Sequence, residues 1–97
     1  MVIGTCSIII LVPGSASLKD KRRVVRSIIA KTRSRFNVSI AETGNLDSWQ
    51  VAELGLACVS NSSRHADEMV QTINRFIENQ LLDGYVDQVD TEIIHLR

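Results

Sequence analysis

The chain begins with a run that leaves few architectures open. Val2 to Val12 is rich in Ile and Val and is closed by Pro13-Gly14. β-Branched residues favour a pleated strand, and a proline-glycine pair ends one. Both alternating sets are apolar: Val2, Cys6, Ile8 and Ile10 on one face, Ile3, Ile9 and Leu11 on the other. Such a strand belongs in the middle of a sheet, with at least part of each face covered. The remaining residues must therefore supply neighbours for both of its edges.

They supply three more strands. Phe36 to Thr43 alternates, with Phe36, Val38 and Ile40 inward and Asn37, Ser39 and Ala41 outward. A turn over 44–48 leads to a third strand, Trp49 to Ser60, with Leu54, Leu56 and Cys58 on one face. Its other face holds Glu53, Gly55, Ala57 and Val59, whose small members leave room for close approach by another surface. Val86 to Leu96 is the fourth strand, and its Asp87, Asp90 and Glu92 suit a sheet edge.

Two helices fall between the strands. Ser17 is the N-cap of the first, which runs to about Arg35. Asn61-Ser62-Ser63 caps the second, with Asp67 and Glu68 in its first turns and an apolar stripe of Ala66, Met69, Val70, Ile73, Phe76 and Ile77. The order β-α-β-β-α-β predicts an α+β, ferredoxin-like sandwich: a four-stranded antiparallel sheet in spatial order 4-1-3-2, both helices on one face. Ninety-seven residues make one such domain, 1–97, with a single core.

Charge is distributed unevenly along this chain. Between Lys19 and Arg35 lie eight of the eleven Lys and Arg, against one acid, Asp20, so a net charge of zero conceals a basic helix on an acidic remainder. At 100° per residue, Leu18, Val25, Ile28, Ile29 and Thr32 share one side. Lys19, Arg22, Arg23, Arg26 and Arg33 fall within roughly a 100° arc on the other. Lys31 and Arg35 flank them, and Lys21 is expected to reach outward from beside the apolar stripe. Like charges four residues apart, as at Arg22 and Arg26, repel by a few tenths of a kcal/mol, so stability alone does not call for this ridge. It predicts an anion-binding face. The free N–H groups after Ser17, with the Ser15 hydroxyl, extend the expected anion site to Ser15, Ser17, Lys19, Lys21, Arg22, Arg23, Arg26 and Arg33.

Other chemistry is thinly represented. An RNA-recognition motif stacks bases on aromatics of its two central strands, but here the first strand has none and the third only Trp49 at its start. The loop after the first strand has no arginine to cradle phosphate as an acylphosphatase-like enzyme would. Glu42, Trp49 and Gln50 gather around the hairpin between strands two and three and form a second candidate site, but no nucleophile accompanies them. His65 and His95 are too far apart to pair, and Cys6 and Cys58 form no CxxC, so no metal site, cofactor or catalytic residue is expected. The first dozen residues are too few to span a membrane and lack the basic start of a signal peptide. A cytoplasmic protein with buried, reduced thiols is the expectation, with no membrane partner. The face without helices points to a homodimer through that face or an edge strand.

Ser15-x-Ser17-Leu18-Lys19-x-Lys21-Arg22-Arg23-Val24-Val25, Arg35-Phe36-Asn37-Val38-Ser39, Ala41-Glu42, Trp49-Gln50 and Val59-Ser60-Asn61 resemble the YlxP-like family of small bacterial proteins over essentially the whole chain. The resemblance implies a ferredoxin-like fold and brings no catalytic residues. Genes of such proteins often lie among those for transcription termination, translation initiation and ribosome maturation, which implies RNA or the ribosome as partner. The chain departs from relatives at Ala16, where a bulkier residue such as His is frequent. A non-enzymatic RNA- or ribosome-associated factor binding phosphates through its first helix is therefore the leading expectation. A small-molecule-sensing regulatory domain comes second, and a phosphate-processing enzyme third.

Overall fold

The computed structural model describes all of residues 1–97. Its elements are β1 (Val2–Leu11), α1 (Leu18–Arg35), β2 (Ser39–Gly44), β3 (Val51–Ser60), α2 (Ser63–Gln80) and β4 (Tyr85–His95). The strands form one antiparallel sheet in the order β2-β3-β1-β4, so β1 and β3 are the central pair. This is the ferredoxin-like sandwich expected from the order β-α-β-β-α-β, with β1 central as its two-sided apolarity indicated.

The inward residues of β1 (Cys6, Ile8, Ile10) and β3 (Ala52, Leu54, Leu56, Cys58) meet Ile40 of β2, Val25 and Ile28 of α1, and Val70, Ile73 and Ile77 of α2 in one buried cluster. Burial of this continuous apolar layer is the main force holding helices to sheet, at roughly 25 cal/mol per Å² of apolar surface removed from water. Both cysteines are free and buried within it. The outer strand β4 buries no residue fully, as its acids anticipate.

Three strand boundaries differ from expectation, while the α2 cap falls where sequence placed it. β2 starts at Ser39 rather than Phe36, because Phe36 caps α1: its N–H donates to the Thr32 carbonyl at 2.9 Å. Its ring then stands edge-on to Phe76, centroids 5.3 Å apart. β3 starts at Val51, because the Ser48 hydroxyl accepts from the N–H groups of Gln50 and Val51 and holds the preceding residues in a turn. β4 runs from Tyr85 to His95, with its pairing to β1 shifted between Ile9 and Ile10. α2 is capped by Ser62, whose hydroxyl accepts from His65 N–H; its first turn carries no acid, and Asp67 and Glu68 follow in the next.

The sheet face away from the helices is less apolar than its sequence suggested. Ile3, Ile9, Leu11 and Ala57 are half-buried, and Val59 is 63% exposed. Between the apolar ends lies a shallow trough of small residues, including Thr5, Ser7, Ala41 and Ala57, bordered by Asp90 and Glu92. The room above Gly55 is filled from within: a Cβ there would come 2.7 Å from Thr43 Cγ2, at the place where β2 bulges between Glu42 and Gly44. No helix is long and apolar enough to cross a membrane.

Candidate nucleic-acid interface

α1 begins where sequence places it. Ser17 Oγ accepts from Asp20 N–H at 3.0 Å, and the Asp20 carboxylate reaches back to Ala16 N–H at 3.1 Å. This is a capping-box exchange displaced by one residue, and it satisfies donors that would otherwise face solvent. Ser15 is buried and its hydroxyl donates to the Ser17 carbonyl. Ser15 and Ser17 thus build the loop and the cap, and the Asp20 carboxylate places negative charge where an anion would sit. The expected anion site at the helix N-terminus is corrected accordingly.

Lys21 is the larger correction. It does not reach outward; its side chain is fully buried. The ammonium donates to the carbonyls of Asn45 (2.8 Å), Val51 (3.2 Å) and Leu46 (3.4 Å) and lies 2.9 Å from Glu42 Oε2. A buried ammonium is tolerable only when its donors are filled and its charge is opposed, and here both conditions are met. Asn45, with φ +57°, takes the left-handed conformation that turns its carbonyl into this cradle. The positional signal was present: Lys21 precedes Val25 and Ile28 by four and seven residues, on the buried stripe. Glu42 likewise shares the strand parity of buried Ile40.

The hairpin candidates separate. Glu42 is committed to Lys21. The Gln50 amide donates to the carbonyls of Pro13 and Ser15, both at 3.3 Å, and so ties the β1–α1 loop to β3. Trp49 remains exposed in the loop. These three residues do not converge on a common point of chemistry.

The outer face of α1 is different. Lys19, Arg22, Arg23, Arg26, Lys31, Arg33 and Arg35 are all exposed, and none is paired with an acid; the two ion pairs of the molecule are Lys21–Glu42 and Arg64–Glu68. Arg33 gives one donor to the Ile40 carbonyl at 2.7 Å, which fixes it along the β2 edge. Arg35 lies over Phe76, 5.3 Å from the ring centroid. Lys19, Arg22, Arg23 and Arg26 have no protein partner at all among the hydrogen bonds and ion pairs, so their charge is directed to solvent. An unopposed cationic row on a packed helix is suited to polyanions and carries no base selectivity of its own.

The comparisons with known proteins agree on fold and family. A family model described as a protein of unknown function, DUF503, matches residues 3–91. The Bacillus subtilis (strain 168) uncharacterized protein YlxP is 35% identical over 78 residues, covering 80% of this chain and 85% of that protein. Three solved structures share the fold at low identity. The de novo designed protein Foldit4 has TM-score 0.55 and 13% identity over the whole of both chains. A dimeric ferredoxin-like protein from an uncultured marine organism has TM-score 0.51 and 8% identity over 100% of this chain and 99% of its own. A designed protein with a ferredoxin fold has TM-score 0.50 and 16% identity over 97% and 84%. With nearly its full length matched, the chain belongs to the DUF503 family and is YlxP-like.

Proposed function

We propose that the protein is a non-enzymatic RNA- or ribosome-associated accessory factor that engages phosphates through the outer face of α1. The observation that carries this reading is the row Lys19, Arg22, Arg23 and Arg26, exposed and unpaired, with Arg33 beside it. Lys21, Ser15 and Ser17 are not part of the contact surface, since each is engaged within the fold. Phosphate contact through such a row is electrostatic and releases counterions, so affinity falls steeply with salt.

The same reading includes a homodimer. The sheet face opposite the helices keeps Ile3, Ile9, Leu11 and Val59 at least partly in water, and a structural neighbour of the same fold is dimeric. Pairing through that face leaves both α1 helices on the outside, so the dimer presents two basic ridges.

The test is co-sedimentation with ribosomes and with isolated RNA at two salt concentrations. Binding at the lower salt that weakens strongly at the higher is the expected result. Absence of binding at both refutes the proposal.

A further inference from the structure

Beside the basic row is a cleft of about 280 Å³, between the flank of α1 and the segment joining α2 to β4. Val24, Ile28 and Leu81 give it an apolar wall, while Arg23 and Lys31 stand on it from the cationic side. Gly84 is required for this geometry: a Cβ there would lie 2.6 Å from the Leu11 carbonyl oxygen, so only glycine lets the segment close against the end of β1. Gln80 also lines the cleft, and its amide is unusual. Both Nε2 and Oε1 are buried, and neither has a hydrogen-bond partner. Native proteins seldom leave a donor and an acceptor of one side chain unmatched together.

An adjacent amide donor and acceptor, an apolar wall and two cations make a specific combination. A glutamine amide pairs in bidentate fashion with the N6 amino group and N7 of adenine. The apolar wall suits the face of a heterocycle, and Arg23 and Lys31 suit the phosphate attached to it. The volume is near the lower end of small-molecule sites, enough for one base and too small for two stacked nucleotides. Asp83, also on the cleft, adds an acceptor for an exocyclic amino group. Resting on the RNA-binding reading above, we infer that this cleft accepts one unpaired adenine of the strand held by the α1 row, and that Gln80 reads its edge. Both amide atoms are enclosed in the free protein, so reading the base requires the Gln80 side chain to swing about its aliphatic torsions into the cleft as the ligand enters.

The experiment compares short single-stranded oligoadenylate and oligouridylate by fluorescence anisotropy, and follows the Gln80 side-chain NH₂ resonances during titration with AMP and with UMP. The wild-type protein is expected to favour oligoadenylate by about tenfold, well within the discrimination of one good bidentate pair. Gln80→Leu should bring the two affinities together, and Ser27→Trp, which fills the cleft from an exposed position, should do the same. Arg22→Gln with Arg26→Gln should lower both affinities alike. Salt-dependent binding without base preference, and no movement of the Gln80 resonances with AMP, overturns the cleft and leaves the phosphate reading standing. A selective Gln80 shift with AMP, but no oligomer binding, keeps the cleft as a nucleotide site and overturns the RNA reading on which its single-strand role depends.

Discussion

The ammonium of Lys21 and the carboxylate of Glu42 meet at 2.9 Å across the α1–β2 boundary, the lysine fully enclosed and the glutamate 16% exposed. Around them three loop and strand carbonyls complete the coordination of the ammonium, so one lysine fastens helix, hairpin and β3 at a single point. Removing one member of a buried pair strands the other, which costs about 3–5 kcal/mol in well-enclosed cases. Lys21→Met should fall in that range, because it strands the Glu42 carboxylate and takes a donor from three carbonyls, of which Asn45 keeps the Ser48 N–H. Glu42→Gln should cost less, because the ammonium keeps its carbonyls and the glutamate position is partly wet. Urea denaturation checks the order; equal stability of Lys21→Met and wild type would show that the lysine is not a fastening.

The phosphate reading gives a slope. Five contacts from Lys19, Arg22, Arg23, Arg26 and Arg33 imply a log–log dependence of affinity on salt of roughly −3.5 to −4.5, single strands at the shallow end. Arg22→Gln with Arg26→Gln should reduce its magnitude by about 1.4–1.8. Both side chains face solvent, so the melting temperature should hold. A double variant that sediments with ribosomes as well as wild type at both salts places the contact elsewhere.

Much of this architecture could be read from residue order. The alternation of β1, the caps at Ser17 and Ser62, and the acids of β4 each report a local requirement, and local requirements are visible in sequence. What escaped reading depends on tertiary partners. Lys21 has the composition of a surface residue and the helical position of a core one; only the carbonyls of a hairpin some twenty-five residues later decide between them. The Gln80 cleft is similarly non-local, assembled from α1 and the approach to β4. By contrast, the exposed row on α1 needed no partner to be seen, since it is defined by having none.

Thiol chemistry provides a pH test. Burial pushes the Cys58 thiol above its usual 9.0, with a backbone hydrogen bond from Gly4 partly opposing the shift. The folded state therefore keeps its proton where the unfolded chain has released it. Stability is unaffected below about pH 9 and declines as pH rises above that, by at most 1.4 kcal/mol per pH unit from this one group. Cys58→Ala should lower stability overall yet flatten the alkaline decline, and denaturation midpoints between pH 8 and 11 measure it. Identical slopes for variant and wild type would remove Cys58 as the cause. Native Cys6 and Cys58 should also label slowly, and quickly in denaturant.

The homodimer has its own variant. Val59→Arg introduces a charge on the open sheet face at a site already largely in water, so folding should survive. Light scattering at high micromolar concentration should show a dimer for wild type and a monomer for Val59→Arg. A monomeric wild type removes the assembly from the proposal.

Because β1 is hydrogen-bonded to β3 on one edge and β4 on the other, the strand that precedes the other three in synthesis is among the last to be completed. Even its partner nearest along the chain, Val51 opposite Leu11, lies beyond the whole of α1 and the β2 hairpin. Until then a ten-residue apolar segment has no sheet to join. Emerging from the ribosome, it is a sticky ribbon with two open edges, and its protection during that interval must come from its surroundings rather than from its own fold. Long loop closures of this kind slow folding, so the nascent chain is exposed for longer than a helical bundle of equal size.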